Sequence, residues 1–124
     1  MKKLILGCFI ILQLTGCAVW DAYMTAGFDS NEYALVNRVR TLAEQESCEL
    51  VLINELYNTS YELKNYTQYI PHNEKTNEMT NDLFKIVNEL HNKKDITPIY
   101  CKAKLSIINN SAERIQQVVG RKTR

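Results

Sequence analysis

Glycine and proline are scarce in this chain of 124 residues: four glycines and two prolines, with only Gly120 beyond Gly27 and with Pro71 and Pro98 as the two ring-locked positions. Long stretches therefore lack the residues that punctuate turns and hairpins, which favours helices. The longest apolar run, Leu4 to Leu14, is too short to span a bilayer, which takes about twenty residues. An excess of one charge is missing as well, because 15 Lys and Arg stand against 14 Asp and Glu. A general nucleic-acid binder is strongly basic, so that class is excluded. The sequence has no nucleophile elbow, phosphate-binding glycine loop, Cys-x-x-Cys, paired metal-ligating histidines or catalytic Cys-His arrangement. His72 follows Pro71 in a polar turn and His91 sits at a helix end, where a histidine is read as solvated or dipole-matching rather than as a base. No internal repeat or low-complexity run stands out.

What the sequence does have begins at residue 1. Met1-Lys2-Lys3 is basic, Leu4 to Leu14 is apolar, and Thr15-Gly16-Cys17 closes the run with small residues, the three parts of an export signal. Leu14-Thr15-Gly16-Cys17 resembles the lipobox of bacterial lipoproteins. The resemblance implies removal of residues 1–16, a thioether-linked diacylglycerol on Cys17 and acylation of the new amino terminus; no other cofactor is expected. Each buried methylene contributes about 0.8 kcal/mol, so two or more acyl chains hold such a protein on its membrane. Ala18 stands where Asp favours inner-membrane retention in enterobacterial lipoproteins, which implies the outer membrane, with the domain facing the periplasm or the surface. The plain alternative is an ordinary cleaved signal with a chance cysteine. Loss of Lys2 and Lys3 would leave 13 basic against 14 acidic residues.

Cys8 lies in the signal and Cys17 takes lipid, so Cys48 and Cys101 remain as a pair in an oxidising compartment, where a disulfide is expected. A redox-active pair and a metal site are the competing readings, and neither the cysteine nor the histidine spacing favours them.

Residues 17–28 read as the lipidated anchor and linker, 29–120 as a helical domain and 121–124 as a basic tail. Asp29 and Glu32 have the spacing of a capping box that opens a helix. Leu35, Val39, Leu42 with Ala43, then Leu50 and Ile53, form one apolar stripe; Cys48, Leu52, Leu56, Leu63, Tyr66 and Ile70 form a second. One long bent helix over residues 31–70 or two helices breaking near Ser47 would satisfy the pattern, and base rates of helix length favour the break. Met79, Leu83, Ile86, Val87 and Leu90 mark the next helix, and Thr97-Pro98 caps the last. In that helix Cys101, Leu105, Ile108, Ala112, Ile115 and Val119 recur at four, three, four, three and four, with Gly120 expected in left-handed geometry as its stop. Cys48 and Cys101 each open a stripe, as a structural disulfide needs. The fold expected is an all-α bundle of three or four helices.

Trp20 and Tyr23 would sit at the headgroup level or pack on the bundle. Tyr57 and Tyr61 fall off the apolar stripe and are either anchors of a partner surface or packing residues against another helix. Ile107 and Val118 pose the same choice on the last helix. Arg121, Lys122 and Arg124 form either a contact for lipid phosphates or a solvated end. A lipidated cysteine and two more in separate helices resemble, in outline, the secretin pilotins. That resemblance implies a non-enzymatic envelope adaptor binding membrane lipid through Cys17 and one envelope protein, with no nucleic acid and no small-molecule substrate. The alternative is a lipoprotein encoded by a phage or mobile element that blocks a receptor or acts in lysis.

Overall fold

Three residues with positive φ turn the chain: Glu46 at 49°, His72 at 58° and Asp95 at 55°. None is glycine, so the connections are made at positions where a side chain is disfavoured by roughly 1–2 kcal/mol. Between them run four helices, α1 (Ser30–Glu44), α2 (Leu50–Tyr69), α3 (Glu74–Asn92) and α4 (Pro98–Gly120). The computed structural model describes residues 26–124; the signal, Cys17, Trp20 and Tyr23 lie outside the described residues. The expected all-α fold is therefore observed with four helices, and the chain breaks between Glu44 and Leu50, around Ser47.

Cross-helix bonds fix the direction of each helix. Arg38 on α1 meets Glu55 on α2, Asn54 on α2 meets His91 on α3, Glu89 on α3 meets Lys104 on α4, and Arg40 on α1 meets Gln116 on α4. Neighbouring helices thus run antiparallel, and α1 packs on α2 and α4 while α3 packs on the same two from the other side. The result is an up-down-up-down bundle of the kind that short connections produce.

The core is read most directly from α4, where Cys101, Leu105, Ile108, Ala112, Ile115 and Val119 are all buried. Val36, Val39, Leu42 and Ala43 face them from α1, Ile53, Leu56 and Leu63 from α2, and Leu83, Val87 and Leu90 from α3. Two stripe assignments are corrected. Leu50 is 68% exposed because it opens α2 beyond the packed section, and Tyr66 and Ile70 are half-buried while Thr67 takes the core position. Polar residues line the core on α2 and α3: Thr59, Ser60, Thr67, Thr76 and Thr80 are buried. Three of these hydroxyls have side-chain or carbonyl partners: Ser60 Oγ donates to the Tyr57 carbonyl at 2.9 Å, and the Thr67 and Thr80 hydroxyls meet at 2.8 Å. A buried hydroxyl is tolerated on that condition.

The caps follow the sequence in part. Thr97 accepts from the Tyr100 N–H and Pro98 occupies the first turn of α4; Asp29 accepts from the Glu32 N–H at 2.8 Å. The reciprocal half of the capping box is not made, because the Glu32 side chain turns into the core. Gly120 also departs from expectation. It remains within α4 without a positive φ, and a Cβ there would meet the Tyr33 ring at 3.4 Å, an ordinary contact, so nothing in the structure requires glycine at this position.

Cys48 and Cys101 are joined by a disulfide across 53 residues of sequence, at the end of the bundle where α2 and α4 begin. On the chain-entropy model a loop of that length contributes roughly 4 kcal/mol. Replacing both cysteines with alanine is expected to lower the thermal midpoint by on the order of 20 °C, followed by circular dichroism. An unchanged midpoint would show that the core holds without the staple.

Candidate functional site

Aromatic side chains gather on the outer face shared by α2 and α3. Tyr57 and Tyr61 are one helical turn apart, and their rings lie 6.5 Å apart with an interplanar angle of 11°. Phe84 of α3 closes on both, at 5.4 Å from Tyr57 and 5.7 Å from Tyr61. The His91 ring stacks on Tyr57 at 4.1 Å, and its Nε2 pairs with Asn54 Oδ1 at 3.0 Å. Lys64 Nζ stands 4.8 Å from the centre of the Phe84 ring, within cation–π range. Such a cluster is rigid, because each ring is held by another ring or by a charge.

The two tyrosines singled out by sequence play different parts. Tyr57 is half-buried, packed against the core and α3, so the packing reading holds for it. Tyr61 is 48% exposed and reaches solvent at the edge of the cluster. Beyond it lies a shallow, mostly apolar strip of the α2 surface formed by Tyr61, Glu62, Asn65, Tyr66 and Tyr69. Tyr69 is 81% exposed, whereas Tyr66 is pinned, its hydroxyl donating to the Asp29 carboxylate at 3.1 Å. Tyr69 and Phe84 were not singled out from sequence. The signal available was the recurrence of tyrosine along α2: Tyr57 and Tyr66 fall on opposite flanks, toward α3 and α1, with Tyr61 and Tyr69 on the outer surface between them, and Phe84 becomes visible only once α3 is laid beside α2. Ile107 is 46% exposed on α4, away from this face, and Val118 is half-buried.

At the opposite end from the disulfide, the bundle closes over a buried polar cluster. Glu32 has no exposed surface, and Lys122 Nζ donates to its Oε2 at 2.7 Å with only 5% of the lysine side chain exposed. Asn73 completes the cluster: its Nδ2 donates to Glu32 Oε1 at 2.7 Å, and its Oδ1 accepts from Lys122. The reading of Lys122 as part of a solvated tail is thereby corrected, because it supplies the counter-charge of an acid inside the bundle. The same end anchors both chain termini of the domain. Ala26 N–H donates to the His72 carbonyl at 3.0 Å, Phe28 N–H to the Thr123 carbonyl at 2.8 Å, and Arg124 stands 4.9 Å from the Phe28 ring. Residues 26–28 are therefore packed on the bundle and not a free linker.

Around Tyr100, at the disulfide end, Lys93 and Lys104 approach the ring, and the hydrogen bond from Lys104 to Glu89 raises the lysine pKa above its ordinary value. Among the described residues no group of three His, Cys, Asp or Glu side chains converges to hold a metal ion, and no helix is long and apolar enough to cross a membrane. Neither protein-family models nor curated proteins nor solved structures match this chain.

Removing one partner of a buried ion pair leaves an uncompensated charge and costs about 3–5 kcal/mol, whereas replacing both with apolar residues is close to neutral. Lys122→Met is accordingly expected to destabilise the bundle by about 3–5 kcal/mol, and Glu32→Leu with Lys122→Met to recover most of that loss. Urea denaturation of the four proteins of the cycle measures it; equal stability of wild type and Lys122→Met would contradict the geometry.

Proposed function

We propose that this protein is a lipid-anchored adaptor of the bacterial envelope, held on the outer membrane through Cys17 and binding one protein partner through the tyrosine-bearing face of α2. The export signal and the Leu14-Thr15-Gly16-Cys17 sequence support the anchor. The observation that carries the binding role is the exposure of Tyr61 and Tyr69 on one shallow, mostly apolar strip of α2. Tyrosine buries a large area for little loss of side-chain entropy and is enriched among the residues that dominate interfaces. Here the face is also preorganised, since Phe84, His91 and Asp29 hold the rings that flank it, and less ordering is required when a partner docks.

The arrangement suits binding without chemistry. His91, the one histidine beside this face, is stacked on Tyr57 and bonded to Asn54, in a position that serves packing. The disulfide and the buried ion pair brace the two ends of the bundle, and the face between them is presented as a rigid surface.

Tyr61→Ala with Tyr69→Ala is the informative variant, because both side chains are exposed, whereas alanine at Tyr57 would open the packing of α2 on α3. Crosslinking in intact envelopes is expected to capture one discrete protein with the wild-type chain. The double variant should reduce that capture by at least about tenfold while folding stability changes by no more than about 0.5 kcal/mol. Undiminished capture by the variant would remove this face from the function.

A further inference from the structure

The geometry points to a second site, a cationic concavity at the terminus-bearing end of the bundle that takes the phosphate group of an anionic lipid. Between the turn that begins α3 and the last turn of α4 lies a depression of about 310 Å³, whose walls include His72, Lys75, Val118, Arg121 and Lys122. No acidic side chain lines it among the described residues. The charge of Lys122 is already matched by Glu32, so the positive charge facing the depression comes from Lys75 and Arg121, both exposed and in no ion pair among the described residues. His72 adds a ring N–H donor. Its place beside the depression is fixed by its left-handed backbone and by the bond from Ala26 to its carbonyl. Val118 supplies an apolar wall, fitting a group that carries both an anion and a hydrocarbon substituent.

Position selects lipid as the source of that phosphate. Ala26 enters the fold on His72, one wall of the depression, and Phe28 is bonded to Thr123, two residues past Arg121. The nine residue steps from Cys17 to Ala26 span at most about 30 Å. With the anchor proposed at Cys17, on which the choice of lipid rests, the depression stays within reach of the headgroups on which the chain is tethered. The disulfide end then points away. Arg121 thus acquires a role that Lys122, three atoms of backbone away but turned inward, does not share.

The test uses the full chain in maltoside micelles, which carry no phosphate, titrated with inorganic phosphate, dihexanoyl phosphatidylglycerol or dihexanoyl phosphatidylcholine and followed by amide NMR shifts. Shifts confined to residues 72–76 and 118–122, with phosphatidylglycerol binding more tightly than either other probe, are the expected result. A surface cation near a lipid headgroup is worth about five-fold in affinity, so Lys75→Gln with Arg121→Gln should weaken phosphatidylglycerol about thirty-fold. Lys94→Gln with Lys102→Gln, the same charge change at the disulfide end, should leave binding unaltered. Absence of shifts with every probe, or equal losses in the two double variants, would overturn the site; shifts with inorganic phosphate alone would overturn its assignment to lipid. The phosphate arm does not depend on Cys17, so failure of the anchor and failure of the site are told apart.

Discussion

The interaction that ties the ends of this bundle into one register is the one between Glu32 and Lys122. Two charges inside a small domain carry a desolvation cost of several kcal/mol each, and only close pairing with further hydrogen bonds offsets it. Here the pair is 2.7 Å apart, and Asn73 bonds to both members. Glu32 stands at the start of α1, Asn73 in the turn between α2 and α3, and Lys122 just past α4. Satisfying the carboxylate therefore requires all four helices to be in register at this end. A slip of any one would leave a bare charge in the core. The disulfide performs the matching task at the far end, through covalent restriction of the unfolded chain instead of electrostatics.

Between these two braces the apolar core runs along the bundle, with a polar edge on α2 and α3. The hydroxyls of Thr59, Ser60, Thr67, Thr76 and Thr80 take positions where larger side chains would normally sit, and Tyr57 and Phe84 pack at the outer edge of the α2–α3 contact. Aromatic surface consequently lies on one flank, next to the exposed rings of Tyr61 and Tyr69. The polar end and the aromatic flank are joined through Tyr66, whose hydroxyl bonds to the same Asp29 carboxylate that caps α1.

The strongest periodic signal was also the most faithful. Each of the six apolar positions read along α4 is buried, because an uninterrupted helix with a proline start leaves the side-chain period no freedom. The break around Ser47 and the pairing of Cys48 with Cys101 were legible for related reasons: helix length is bounded, and two stripe-opening cysteines face one core. Polar residues were read less well. Glu32 has the spacing of a capping residue, and nothing local distinguishes a carboxylate that bonds its own helix from one that meets a lysine 90 residues later. Lys122 looked like a tail residue because its partner lies at the other end of the sequence. The turns at Glu46, His72 and Asp95 carry no glycine to announce them, whereas Gly120, where left-handed geometry was expected, stays helical. Of the candidate face only Tyr61 was visible in the sequence, since Tyr57 packs on α3; Tyr69 joined it once the outer surface of α2 between α1 and α3 was laid out.

The cellular address assigned to this bundle stands on the chemistry of one atom, the sulfur of Cys17. Intact-mass and tandem mass spectrometry of the chain extracted from envelopes tests that assignment most directly. The account predicts an amino terminus at residue 17 carrying a diacylglyceryl thioether and an amide-linked acyl chain. A chain that still begins at Met1, or one with an unmodified thiol at residue 17, would contradict it.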